Sequence, residues 1–165
     1  MYRTLDDFKT AWGYESESTL KVLRALTDQS LGQAVGPGGR TLGRLAWHVV
    51  GAVAEMGEHM GLEVPGARDT DPQPSLAEMV RQYESASARF IEAVTTRWTD
   101  AMLLERIPMY GEQWPRGGAL TALVMHQAHH RGQMTVLMRQ AGLKVPGIYG
   151  PAAEEWAAMN MPVQP

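Results

Sequence analysis

Along the first stretch of the chain the apolar positions Leu5, Phe8, Trp12, Thr19, Leu23 and Leu26 recur at spacings of three and four or their sums. That period places them on one stripe of an α-helix. The break Gly36-Pro37-Gly38-Gly39 closes the region, and Thr41 then stands as the N-cap of a second run from Leu42 to about Met60. Gly61 to Pro74 holds two Gly and three Pro among charges and reads as a loop. Ser75-Leu76-Ala77-Glu78 has the spacing of a capping box, and the helix it opens buries Leu76, Met79, Tyr83, Ala86, Phe90 and Val94.

Between Trp98 and Gly118 no period survives, and Ile107 to Trp114 reads as a short extended turn outside the bundle. A fourth helix is predicted from about Ala119 to Gln140, with Gly142 as its stop and Pro146 beyond it. The tail from Gly150 to Met161 is expected to add one short helix. No segment shows a convincing strand alternation and no unit repeats, so the pattern predicts an all-α four-helix bundle rather than a solenoid.

Composition narrows the chemistry. A chain of 165 residues suits one domain, taken as 1–165. It has no cysteine, which removes disulfides, Cys-zinc knuckles, iron–sulfur clusters and a thiol nucleophile on the protein itself. Any metal must therefore sit on His, Asp or Glu. The net charge is −3 and the basic residues are scattered, against the clustered Lys and Arg of nucleic-acid binders. No apolar leader and no membrane-length apolar run is present, so a soluble, cytoplasmic chain is expected, with no membrane partner. The eleven Met are read as fillers of irregular core gaps.

Three of the five histidines fall in Met125-His126-Gln127-Ala128-His129-His130-Arg131-Gly132-Gln133. At about 100° per residue, His126 and His130 lie about 40° apart and one turn apart in height, so both rings can reach one ion. Ala119, Leu123, Met134, Leu137 and Ala141 share their face, which directs the pair into the bundle. His129 falls at the edge. Helix two supplies His48 on a stripe with Leu45 and Ala52, an inward side that lets it meet the pair across the bundle. His59 lies about 16 Å further along that helix, too far to join, and reads as a surface residue. Glu55 shares the inward side as a candidate acceptor behind a ligand. The alternative is a hydrogen-bonded set of core histidines, since a buried imidazole needs partners whether or not a metal is one of them.

These segments resemble the DinB-like superfamily, also called YfiT-like or damage-inducible metal-dependent proteins. Leu45-Ala46-Trp47-His48 and the run His126 to Gln133 are similar to the family's two ligand-bearing segments in their usual order, over roughly residues 5 to 142. The resemblance implies metal ligands at His48, His126 and His130, with His129 in the motif but not a ligand. It also implies helices in up-down-down-up order and a homodimer.

Three neutral His ligands leave coordination positions free, as in catalytic sites. Zinc or nickel suits them, and iron(II) also. The expected activity is transfer of a low-molecular-weight thiol to an electrophilic small molecule in stress or detoxification, as in the bacillithiol- or mycothiol-dependent transferases that the resemblance brings in. The first alternative is a metal-dependent hydrolase, for which Glu55 and His129 are the available bases. The second is a non-catalytic stress protein that binds metal or a small ligand. Tyr110 and Trp114 are candidates for the mouth of a pocket.

Overall fold

In the computed structural model, which describes residues 2–160 and 162, four helices carry the fold: α1 (Leu5–Arg24), α2 (Leu42–His59), α3 (Leu76–Arg97) and α4 (Arg116–Gln140). Their stripes are those of the sequence. Phe8, Trp12 and Leu23 of α1 meet Met79, Tyr83, Phe90 and Val94 of α3 in one core, with the Trp12 and Phe90 rings 5.1 Å apart. Burying each such side chain is worth about 1.5–3 kcal/mol, which outweighs the weak helix propensity of the aromatic residues. Among the described residues, no helix is long and apolar enough to cross a membrane.

Helices α1 and α2 each pack on both α3 and α4, so α1 and α2 are diagonal to one another. The Leu5 amide donates to Asp100 just beyond α3 at 2.7 Å, and the Arg116 guanidinium lies 4.6 Å over the Trp98 ring. The start of α1, the end of α3 and the start of α4 therefore share one end of the bundle. Thr27 and Gln33, beyond α1, share a hollow with Gln140 at the opposite end. The order is up-down-down-up, which forces the chain to return the full length of α2 before α3 can begin.

That return is a packed strap. Residues 61–75 run back along α2, where Gly57, Ala54, Gly51 and Gly43 form a shallow groove. A Cβ on Gly57 would stand 2.9 Å from a Val64 methyl, on Gly51 2.9 Å from the Asp69 backbone nitrogen, and on Gly43 2.7 Å from the Gln73 amide. Only glycine allows so close an approach. The Trp47 indole N–H, donating to the Asp71 carbonyl at 3.0 Å, pins the strap further.

The helix ends follow local chemistry. Thr4 and Asp7 form a full capping box on α1, and Thr41 caps α2 by accepting the Arg44 N–H at 3.1 Å. Ser75 accepts the Glu78 N–H at 3.4 Å, but Glu78 turns outward to Gln82 and Arg81, so only half of the expected box forms. Helix α4 begins at Arg116, three residues earlier than the apolar period indicates, because Pro115 fixes the extended N-cap conformation. It stops where expected, with Gly142 at φ +75° and Leu143 N–H donating to the Met138 carbonyl.

One expectation is corrected, and one is met by a shorter element. The aperiodic segment is an antiparallel hairpin, β1 (Arg106–Met109) and β2 (Glu112–Pro115), turned by Tyr110 at φ +50° and Gly111 at φ +86°. Two positive φ values make the tight hairpin turn that Asn-Gly usually signals, and Tyr-Gly hides it. Among the described residues the tail forms a short 3-10 helix, Ala153–Glu155, continued by turns to Asn160, with Glu155 accepting the N–H groups of Gly147 and Ala152, both at 3.0 Å. The end of that expected helix, Met161, lies outside the described residues.

Candidate metal centre

His48 in the second turn of α2 and His126 and His130 in the middle of α4 meet between the two helices. The Nε2 atoms of His48 and His126 are 3.0 Å apart, and one ring nitrogen from each of the three residues lies within 4.8 Å of the others. Ring centroids are separated by 4.5–4.9 Å at steep angles, so nitrogens rather than ring faces converge. Metal–nitrogen bonds of 2.0–2.1 Å in tetrahedral geometry need nitrogen pairs about 3.3 Å apart. The 3.0 Å between His48 and His126 is close to that value, the third nitrogen lies within 4.8 Å of both, and the donor set fits a divalent ion of the zinc type.

The outer nitrogens are held from behind. His130 Nδ1 lies 2.8 Å from Gln133 Oε1, one turn along, which leaves Nε2 for the centre. His48 Nδ1 lies 3.3 Å from Asp69 Oδ2, off the line of a straight hydrogen bond, and Asp69 pairs in turn with Arg44 at 2.5 Å. Burial tends to raise the Asp69 carboxyl, but the Arg44 hydrogen bond and the charges of His48 and Arg44 outweigh it and hold the group below the usual carboxylate range. An ionised carboxylate behind a metal-binding imidazole fixes the ring and raises its basicity. His126 Nδ1 is buried without a hydrogen-bond partner among the described residues.

Burial, followed by the charges of His130, His48, His129 and Arg40, pushes His126 down to about 4. The same burial lowers His130, aided by His48, His129 and Arg40 and opposed by the Gln133 hydrogen bond. Both rings are thereby neutral at physiological pH, the form that offers a lone pair.

Next to the ligands, Gln127 ties the bundle together. It is fully buried, donates to the Val49 carbonyl at 3.0 Å, and accepts from Thr19 at 3.3 Å and Tyr83 at 3.2 Å. One amide thus joins all four helices between His126 and the residue after His48, setting the register of the two ligand-bearing helices. Beside it Arg131, 1% exposed, forms a buried ion pair with Glu15, bonds Thr19 at 2.9 Å, and meets Tyr149 of the tail at 2.5 Å.

The other candidates lie elsewhere. Glu55 is reached by the Tyr110 hydroxyl at 3.4 Å, and the Tyr110 ring lies tilted against those of His59 and Trp114, with centroids at 4.5 and 6.1 Å. These four residues make a cluster at the hairpin end of α2 and do not join the three histidines. His129 is exposed, with its ring 4.9 Å from that of His130. Sequence reasoning missed Asp69, Glu15 and the roles of Gln127 and Arg131. For the last two a signal existed, because both lie about 100° round α4 from a ligand, facing an interior that their polarity alone argued against. For Asp69 the signal was indirect, namely the glycines on the α2 face.

Fold and site together define a class: a four-helix bundle with up-down-down-up connections and three inward histidines able to hold a metal ion. The DinB family model matches residues 1–164, and the chain belongs to that family. It is 48% identical over 162 residues to the protein YrdA of Bacillus subtilis, covering 98% of this chain and 97% of YrdA. The crystal structure of a DinB-like protein from Bacillus cereus superimposes with a TM-score of 0.86 at 46% identity, over 90% of this chain and all of that one. YfiT from B. subtilis, described as a probable metal-dependent hydrolase with an unusual four-helix bundle topology, shares the fold at 18% identity and a TM-score of 0.63, over 85% of this chain and 89% of YfiT.

Proposed function

We propose that this chain is a metal-dependent transferase in which His48, His126 and His130 hold one divalent ion, and that it joins a low-molecular-weight thiol to an electrophilic small molecule. The observation that carries the reading is the convergence of three imidazole nitrogens within 4.8 Å with no carboxylate among them. A donor set of three leaves room for an exogenous group. When bound, the ion supplies a Lewis acid that lowers the pKa of a thiol or water in its coordination shell.

The residues around the site favour a thiol. Asp69, the acid behind His48, is engaged by Arg44 and His48, and Glu55 is reached by Tyr110, which leaves exposed His129, its ring 4.9 Å from that of His130, as the base a hydrolase would have to use. A thiol of pKa about 8.5 needs far less acidification than water to ionise near neutrality, and it dispenses with that base. It loses its proton to solvent, its sulfur bonds to the electrophilic carbon, and the leaving group departs with the bonding electron pair. The chain has no cysteine to compete for the electrophile or the ion. Gln133 and Asp69 orient the rings, while Gln127 holds α2 and α4 in register.

Hydrolysis is the second reading, favoured by the description of YfiT. The test is turnover by zinc- or nickel-loaded protein of an activated aryl halide with bacillithiol or mycothiol, run beside a nitrophenyl ester without thiol. Thiol-dependent turnover lost in His126→Ala supports the transferase. Ester cleavage that ignores thiol assigns the hydrolase instead, and failure of both leaves a binding protein.

A further inference from the structure

Beside the three histidines a cavity of about 480 Å³ opens between α2, α4 and the Gly-rich loop before α2. Leu45 and Leu137, both buried, form its floor, while Val136 and Val35, 53% and 72% exposed, stand at its rim. His130 and Gln133 form one wall, so the cavity and the metal centre share a residue. Its volume falls in the range of small-molecule sites, which combine an apolar lining with a few placed polar groups.

The remaining lining residue is Arg40. Of the ion pairs and side-chain hydrogen bonds among the described residues, none involves Arg40, whereas Arg44, Arg68, Arg97, Arg116, Arg131 and Arg139 each hold a carboxylate. Its loop is fixed for the purpose: Ala34 bridges Thr41, Leu42 N–H donates to the Gln33 carbonyl at 2.7 Å, and Gly38 at φ +75° completes the turn. Arg40 is close enough for its charge to bear on His126 and His130. Among the described residues, no acid lines the cavity.

From this arrangement we propose that the cavity binds an organic anion with an aliphatic body, its carboxylate on Arg40, its chain on Leu45, Leu137, Val35 and Val136, and its reactive end beside His130. The assignment rests on the reading of the three histidines as a metal centre and names the substrate class of that centre. An apolar lining alone would accept any greasy molecule, and an exposed cation alone would sit in solvent. Held together at the edge of the ligand set, they select a molecule with one charged end and one apolar stretch.

A carboxylate can also bind a metal directly, so the experiment uses the full chain stripped of metal by chelation. Octanoate, its uncharged analogue octanamide and the cation octylammonium are titrated by calorimetry, with methyl chemical shifts of Leu45 and Leu137 followed in parallel. The expected result is saturable octanoate binding that shifts both leucines, with octanamide at least tenfold weaker and octylammonium not bound. Arg40→Gln and Val35→Asp, two exposed loop changes that spare the core, should each weaken octanoate at least tenfold. Equal binding of octanoate and octanamide, indifference to Arg40→Gln, binding only after zinc is restored, or no binding would each overturn the proposal. So would a dimer in sedimentation that Arg40→Gln dissociates while octanoate stays unbound, because a second copy would then occupy the cavity. Zinc uptake by the same variants is measured separately. Failure of the metal centre appears there, and failure of the cavity appears in the metal-free titration.

Discussion

At the scale of single residues, α4 packs two kinds of chemistry into six positions, 126–131. His126 and His130 face α2, and Gln127 and Arg131, about 100° onward, face the interior toward α1. The first pair was legible because two histidines one turn apart on an apolar face need a reason to be there. Asp69 was not legible, because its loop has no period and its partner is on another element. Asp69→Asn removes the charge behind His48 and should lower zinc affinity 10- to 100-fold with all three histidines kept, read by competition against a chelating dye. Unchanged affinity would make Asp69 a strap anchor only.

Arg131 and Glu15 present the opposite case, a buried pair remote in sequence. Two charges taken out of water are costly apart, and removal of one partner strands the other, a loss of about 3–5 kcal/mol. Arg131→Met should therefore destabilise strongly in urea titrations, and adding Glu15→Leu should recover most of the loss. Additive losses would mean that the two side chains are not coupled and that each contributes through contacts of its own. The sequence contained both residues in plain sight, but each lies beside the apolar stripe of its helix, and helical phase does not say that the two meet across α1 and α4.

At the scale of elements, the four helices were readable because their stripes repeat at helical spacing over 18 to 25 residues. The hairpin was not, since its four-residue strands are too short for an alternation to stand out and its turn uses Tyr110 where asparagine is the usual signal. The strap was readable only as a loop. Its packing depends on backbone approach, which leaves no mark except glycine on the helix it covers. Gly51→Ala tests that packing: a methyl 2.9 Å from the Asp69 nitrogen must push the strap outward. Amide exchange across residues 66–72 should accelerate while α1 and α3 remain protected, and zinc affinity should fall with it. Unaltered exchange would show that the groove tolerates the methyl.

For the molecule as a whole, the up-down-down-up order explains why the site lies where it does. Crossing the diagonal from α1 to α2 brings α2 against α4, and the long return that this order requires carries Asp69 to His48. Gln127 then locks the register of all four helices beside the ligands. The meeting place of the three histidines was foreseeable from helical phase, whereas the buried polar links around it depend on which helices become neighbours, and periodicity does not encode that. Whether the three histidines hold a metal is decided by metal content, read by inductively coupled plasma mass spectrometry on protein purified without an affinity tag, comparing the native chain with His126→Ala and His48→Ala. About one divalent ion per chain is expected, lost in both variants while the helical content stays. A native chain that carries no metal and takes up neither zinc, nickel nor iron would contradict the metal centre.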